Sequence, residues 1–106
     1  MGELTVIAKA KAKPGRESDL ERAMRTVVNP SHEEQGCLRY TVHRSVNDPA
    51  TFITIERWAS KEAMDAHFAA PHTKALLQKV PELLAEPPDI SAFELLPEGR
   101  SEKGTL

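Results

Sequence analysis

The spacing of hydrophobic residues along the chain switches between the two-residue period of a strand and the 3.6-residue period of a helix. Runs that are rich in β-branched and small residues and bounded by turn-forming residues are typical of strands. They predict four strands, over residues 3–13, 37–45, 51–58 and 89–96.

A first helix is predicted from an apolar stripe that consists of Leu20, Met24, Val27 and Val28. We expect this helix to run from Glu17 to about Asn29, because Pro30 cannot continue a regular helix. Residues 31–34, Ser-His-Glu-Glu, have the pattern of a capping box, which predicts one further helical turn that Gly36 ends.

A second helical region lies between the third and fourth strands. Ser60 is a suitable N-cap for a helix over residues 61–70, and Pro71 interrupts that helix. A further segment keeps the helical period, although Pro81 must kink or end it.

The order of elements is strand, helix, strand, strand, helix, strand, which predicts an α+β domain with a split βαβ arrangement and an antiparallel sheet. Along the third strand, alternation directs one set of side chains to the helices, namely Phe52, Thr54, Glu56 and Trp58. The opposite face carries Ile53 and Ile55, together with Ile7 of the first strand. Since helices cover only one face, we expect the sheet of a second copy to cover the other.

Composition narrows the classes of protein and partner. With 106 residues, the chain has the size of one domain, and we expect residues 1–97 to form it and residues 98–106 to be a polar, flexible tail. The 14 Lys and Arg and 16 Asp and Glu give a net charge of −2 and are scattered, which does not favour nucleic-acid binding. A single cysteine, no signal-peptide pattern and no long apolar run favour a cytoplasmic protein without membrane attachment. Because no phosphate loop or dinucleotide fingerprint occurs, no bound cofactor is predicted.

His67 and His72 are the side chains best suited to proton exchange near neutral pH. They are five positions apart, whereas two zinc ligands on one helix are commonly four apart, and no cysteine or carboxylate cluster adjoins them, so no metal site is predicted. His67 lies at the edge of the apolar stripe of Met64 and Phe68. Two interpretations of His67 are open: a chemical role, or a position at the boundary of the core where the ring bonds to water or backbone. For His72, which follows Pro71, helix capping is an equal alternative.

Glu56 and Trp58 lie on the strand face that should meet the helices, where a carboxylate is unusual. Because an unpaired buried carboxylate is costly, Glu56 must have a partner, line a wet cavity or lie near the strand end, and an ion pair with Arg or Lys is the simplest of these. Trp58 and Tyr40 are more simply explained as core residues, and Cys37 as a small buried hydrophobe.

The chain also carries an ordered set of short blocks: Leu4-Thr5-Val6-Ile7-Ala8, Lys13-Pro14-Gly15, Gly36-Cys37-Leu38-Arg39-Tyr40, Ile55-Glu56-Arg57-Trp58, Ala66-His67-Phe68 and Pro71-His72-Thr73-Lys74. As a set, over about the first 97 residues, they resemble the antibiotic-biosynthesis monooxygenase family. The resemblance implies ferredoxin-like subunits that pair into a dimeric α/β barrel, in agreement with a sheet that is apolar on both faces.

An activity is implied by the same resemblance. Many members of the family are monooxygenases that use no flavin, haem or metal and act with dioxygen on quinols or polycyclic phenols. By this resemblance His67 is the proton acceptor, Trp58 is a wall of the catalytic pocket, and Glu56 or His72 orients groups or shuttles protons. The other residues expected to bind the aromatic substrate are Tyr40, Thr54, Met64 and Phe68.

The branch that is most similar is the quinol-monooxygenase-like one, which also has Glu and Trp on the third strand and two histidines around the second helix. The haem-degrading branch fits less well, because it has an Asn near the position of Ala10 and a haem-ligating His near that of Leu77. The polyketide-modifying branch commonly has an Asn where this chain has Thr54. Since the fold also serves isomerases, lyases and stress or regulatory proteins, these classes remain alternatives.

Overall fold

A computed structural model describes residues 2–106. Its strands are β1 Leu4–Lys11, β2 Cys37–Arg44, β3 Thr51–Trp58 and β4 Asp89–Phe93, which form one antiparallel sheet in the order β2-β3-β1-β4. The helices are α1 Glu17–Thr26, α2 Val28–His32, α3 Lys61–Ala69, α4 Pro71–Gln78, α5 Val80–Leu83 and α6 Ser101–Gly104. This arrangement confirms the α+β, ferredoxin-like fold, while the pairing of two subunits into a barrel stays a prediction.

Strand β3 shows how the sequence pattern produces the layers. It is paired with β1 on one side and β2 on the other, and buried residues alternate with half-buried ones along its whole length. The buried set is the one predicted from alternation: Phe52, Thr54, Glu56 and Trp58. The sheet therefore places a threonine, a glutamate and a tryptophan in one row beneath the helices.

Two hydrophobic clusters fill the space between the sheet and the helices. The first is built on Leu20, Met24 and Phe52 and joins α1 to β3. The second consists of Val6, Val27, Tyr40 and Trp58. Complete burial of a large side chain such as Trp58, which is 0% exposed, stabilises the fold by roughly 1.5–3 kcal/mol.

The first helical region is divided where one helix was predicted. Helix α1 ends at Thr26, and Pro30 lies in the first turn of α2, where a missing N–H leaves no intrahelical bond unmade. The predicted capping box is wrong, because Ser31 lies inside α2 and its N–H donates to the Val27 carbonyl at 3.0 Å. Glu34, the last residue of that box, lies beyond the helix, so its side chain is available for other contacts.

The second helical region agrees with the prediction. The Ser60 side chain caps α3 by accepting a hydrogen bond from the Ala63 N–H at 3.1 Å. Ala70 is extended, with φ −70° and ψ 148°, and separates α3 from α4. Gly36, in the turn directly before β2, lies against α3, and a Cβ there would overlap that of Ala63. The absence of a side chain at Gly36 therefore allows α3 to approach the sheet closely.

The face of the sheet away from the helices is apolar near its centre. Ile7 is 38% exposed and is paired in register with Ile55, which is half-buried. Phe93 on β4 is 49% exposed, and Ile53 is also half-buried on this face. The second apolar face that was predicted is therefore present, and what covers it stays a prediction.

Strand β4 ends earlier than its sequence pattern predicts. Phe93 pairs with Thr5, one residue from the start of β1, so further residues of β4 have little of β1 left to pair with. The polar segment over residues 98–106 contains the short helix α6, and its expected flexibility stays a prediction. Among residues 2–106, no helix combines the length and the apolar character needed to cross a bilayer.

Candidate active site

A cavity of about 80 Å³ lies between the sheet and helices α1, α3, α4 and α5, and its walls are mostly aliphatic. Leu77 and Ile90 line it but are 37% and 41% exposed, so they lie at its mouth. Two lysines, Lys9 and Lys79, also line the cavity and are exposed. The other polar side chains that line it are buried: Tyr40, Thr54, Glu56, His67 and Thr73. The cavity is therefore an apolar pocket with one polar, buried end.

Glu56 is a carboxylate held by its own strand. Thr54 Oγ1 donates to Glu56 Oε2 at 2.7 Å, and Trp58 Nε1 donates to Glu56 Oε1 at 2.9 Å. Side chains two positions apart share a face of a strand, which brings these three groups together. The predicted ion pair of Glu56 with Arg or Lys is therefore not formed within the described part of the chain, because local donors satisfy the carboxylate instead.

His67, on α3, lies between two carboxylates. Its Nδ1 is 2.7 Å from Glu34 Oε2, and its Nε2 is 3.9 Å from Glu56 Oε1. The ring is 2% exposed and packs against aromatic rings, with its centroid 4.5 Å from that of Trp58 and 5.5 Å from that of Tyr40. His67 is thus a buried side chain on the cavity wall, and the alternative of a solvent-boundary histidine is wrong.

Glu34 lies in the turn between α2 and β2 and joins the two histidines. Its Oε2 is 2.7 Å from His67 Nδ1 and 2.7 Å from His72 Nε2. The expectation that no carboxylate lies beside the histidines is therefore wrong, because Glu34 comes from a distant part of the chain. The ligating atoms of these three residues all lie within 4.8 Å of one another, so this is the set that could hold a transition-metal ion.

Burial controls the ionisation of two other side chains near the site. It raises the pKa of the Tyr40 hydroxyl well above its usual range, and the negative charge of Glu56 raises that pKa further. Tyr40 is therefore a neutral hydroxyl at physiological pH and can donate a hydrogen bond. Burial also raises the pKa of the Cys37 thiol, and the charges of Glu34 and Glu56 act in the same direction. Cys37 is therefore a poor nucleophile.

Most of the side chains predicted for the site are brought together on the cavity wall, which includes Tyr40, Thr54, Glu56, His67 and Phe68. Trp58 lies one layer behind the wall, against the His67 ring. Met64 packs on the cluster around Trp58, and His72 is linked to the site through Glu34.

Two polar residues of the site were missed by sequence reasoning. Glu34 has partners 33 and 38 positions away, so no local spacing marks it. Thr73, whose Oγ1 lies 3.4 Å from His67 Nδ1 and 3.5 Å from His67 Nε2, follows His72 directly. Its place in the block Pro71-His72-Thr73-Lys74 was a signal that could have identified it.

Comparison with known protein families agrees with the ferredoxin-like fold. The family model described as "Antibiotic biosynthesis monooxygenase" matches residues 3–79. The chain belongs to this family. The matched span includes each of the polar residues described above, from Glu34 to Thr73.

Individual relatives and solved structures extend the comparison. YcnE of Bacillus subtilis, which is named provisionally as a monooxygenase, is 30% identical over 85 residues, or 80% of this chain and 90% of YcnE. The protein sll1783 of Synechocystis is 28% identical over 92 residues, and this chain spans only 63% of its length. PA3566 of Pseudomonas aeruginosa is 33% identical with a TM-score of 0.85, covering 91% of this chain and 96% of its own. Rv0793 of Mycobacterium tuberculosis is 28% identical with a TM-score of 0.86, covering 92% and 99%. Membership of this family supports a monooxygenase-type function.

Proposed function

We propose that this protein is a monooxygenase that needs no cofactor and uses dioxygen to oxidise a quinol or a related phenolic small molecule. One observation carries the proposal: the apolar pocket ends at the buried His67. Its Nδ1 bonds to Glu34, and its Nε2 lies 3.9 Å from Oε1 of a second carboxylate, Glu56. Such a pocket suits a flat aromatic ring, and its polar end suits a hydroxyl group.

The polar end favours a ligand that donates hydrogen bonds. Glu56 only accepts, and His67 Nε2 is the ring nitrogen that is not bonded to Glu34. Tyr40 is a neutral hydroxyl, so it can donate to an oxygen of the ligand. A phenolic hydroxyl meets all of these requirements, because it offers one proton and carries the oxygen that accepts from Tyr40.

In the reaction that we propose, His67 accepts a phenolic proton and the resulting anion passes electrons to dioxygen. One oxygen atom becomes bonded to the ring and the other leaves as water, so that a dihydroxyarene and dioxygen give a hydroxyquinone and water. The imidazolium formed at His67 lies between Glu34 and Glu56, whose negative charges stabilise it. The apolar walls keep water from the anion.

An isomerase or lyase is the second candidate, because His67 and Glu56 on one cavity wall could remove and return a proton without oxygen. A third class is a stress or regulatory protein that binds a small molecule without turnover. The three differ in whether a ligand is consumed and whether dioxygen is consumed with it.

Oxygen uptake with a 1,4-dihydroxynaphthalene-type quinol separates these functions. We expect wild-type protein to accelerate uptake above the spontaneous rate, with one labelled oxygen atom from ¹⁸O₂ in the product. His67→Gln is the matched control, because an amide fills a similar volume but cannot hold the proton. Turnover that continues under anaerobic conditions would favour the isomerase, and binding without turnover would favour the regulatory protein. Either result would refute the oxygenase.

A further inference from the structure

His67 has two ring nitrogens, and each has a carboxylate on its side. A neutral imidazole carries one proton, so the nitrogen that bears it is a donor and the other is the only one able to accept a proton. The base at the cavity is therefore defined by the position of one hydrogen atom. The two carboxylates are at unequal distances, with Glu34 Oε2 2.7 Å from Nδ1 and Glu56 Oε1 3.9 Å from Nε2.

The shorter contact decides between the two positions. An ionised carboxylate has no proton to donate, so a hydrogen bond at 2.7 Å to Glu34 requires the proton to be on Nδ1. Thr73 Oγ1 is almost equally far from both ring nitrogens, at 3.4 and 3.5 Å, so it does not select one over the other. Glu34 is thus the group that leaves Nε2 free to accept.

We propose that Glu34 is the positioning residue of this site: by holding the proton of His67 on Nδ1, it makes Nε2 the base that faces the cavity. The kinetic part of this inference rests on the proposed function, whereas the position of the proton does not. Glu34 itself is held by His72, which lies 2.7 Å from the same oxygen and whose side chain is 20% exposed. His72 therefore supports the carboxylate from the solvent side.

Removing Glu34 has a specific consequence for the ring. Glu56 is then the nearest carboxylate to His67, and it lies on the Nε2 side. The proton should move to Nε2, which turns the proposed base into a donor while the ring stays packed against Trp58. Without Glu34, the His67 ring therefore stays in place but has the wrong tautomer, so it cannot accept a proton from the cavity.

Long-range ¹H–¹⁵N spectra of histidine-labelled protein without substrate measure this directly. We expect the neutral His67 ring to be protonated on Nδ1 in wild type and on Nε2 in Glu34→Ala. Glu33→Ala is the matched control, since Glu33 is the exposed neighbour, and it should leave the tautomer unchanged. An Nε2-protonated wild-type ring, or an unchanged ring in Glu34→Ala, would overturn the inference. If Glu34→Ala does not fold, Glu34→Gln is the alternative variant, because it keeps the side-chain volume. It should give a measurable share of the Nε2 tautomer, and a ring wholly protonated on Nδ1 would contradict the inference.

Kinetics then separate this inference from the proposed function. With a quinol that wild type oxidises, Glu34→Ala should lower kcat by about 10²- to 10⁴-fold and change KM little. Added formate should restore part of the rate, because a small carboxylate can occupy the space that Ala leaves. Equal turnover by Glu34→Ala and wild type would refute the inference with the proposed function intact. A tautomer change without any quinol turnover by wild type would refute the proposed function alone.

Discussion

The indole ring of Trp58 lies against the imidazole ring of His67, with centroids 4.5 Å apart and planes inclined by 31°. The same indole donates its N–H to Glu56 Oε1 at 2.9 Å. Trp58 therefore contacts both the histidine and the carboxylate at the polar end of the cavity, from one layer behind the wall. This position suggests that Trp58 supports the site, and contact between aromatic rings of this kind contributes about 0.5–1.5 kcal/mol beyond its buried area.

Replacing Trp58 with Phe should separate these two contacts. An aromatic ring remains beside His67, but the buried carboxylate of Glu56 loses one donor, which should lower the free energy of unfolding by about 1.5–3 kcal/mol. Urea denaturation measures this loss. In a Glu56→Gln background, Trp58→Phe should lower the free energy of unfolding by less, because a buried neutral amide depends less than a carboxylate on the indole N–H donor. An equal cost in both backgrounds would show that packing, and not the hydrogen bond, accounts for the effect.

Two replacements of His67 should differ in stability but not in activity. His67→Gln can still donate to Glu34, so its melting temperature should stay near that of wild type, while quinol oxidation falls by about 10²- to 10⁴-fold. His67→Ala removes a buried ring and should also lower the free energy of unfolding by about 2–5 kcal/mol. Oxygen uptake and urea denaturation on both variants test this. Wild-type turnover by His67→Gln would remove His67 from the mechanism.

Tyr40 should make the protein sensitive to alkali. Burial raises its pKa in the folded state, so the stability that it contributes is complete below the usual tyrosine pKa of about 10 and is lost as the pH rises toward the folded value. The unfolded chain loses the proton first, and the free energy of unfolding should fall by up to about 1.4 kcal/mol per pH unit. Tyr40→Phe should lack this component. Because Tyr40 is the only tyrosine, tyrosinate absorbance reports its ionisation alone, and ionisation near pH 10 in the folded protein would contradict the prediction.

Gly36 and Ala63 should behave as a compensating pair. Gly36→Ala places a methyl group where the Ala63 Cβ lies, which should force α3 away from β2 and lower the melting temperature. Adding Ala63→Gly frees the space, and the double variant should recover part of the loss, apart from the cost of about 1 kcal/mol for a glycine inside a helix. Ala63→Gly alone is the control. Failure of the double variant to recover would show that the clash is not the cause.

The exposed apolar face should be the contact between two copies of the chain. Ile55→Lys places a charge at the centre of this face, paired in register with Ile7, and should give monomers or aggregates. Ala75→Lys, on an exposed position of α4, is the control and should keep the wild-type state. Sedimentation at micromolar concentration distinguishes these outcomes. A monomeric wild-type protein would mean that this face is covered in another way.

Local patterns predicted the order and type of the main elements, because strand alternation and helix capping depend on neighbouring residues. Alternation along β3 specified which residues are buried, and Ser60 marked the start of α3 without any knowledge of its neighbours. Local reasoning also found most residues of the cavity wall, but the site depends on contacts between distant segments, and there it missed Glu34. A short pattern assigned Glu34 to a helix cap, yet its partners are His67 and His72, brought close only when the turn before β2 packs beside α3 and α4.

Ala70, the single extended residue between α3 and α4, changes which spacings of two histidines can form a site, and this applies to other sequences as well. On one continuous helix, at about 100° per residue, side chains five positions apart point about 140° away from each other. With Ala70 at ψ 148°, the last turn of one helix and the first turn of the next direct His67 and His72 to the same oxygen. Spacing rules derived for an unbroken helix do not detect this arrangement. Two imidazoles on either side of an Ala-Pro break converge because of one backbone torsion, and neither helix alone contains the information.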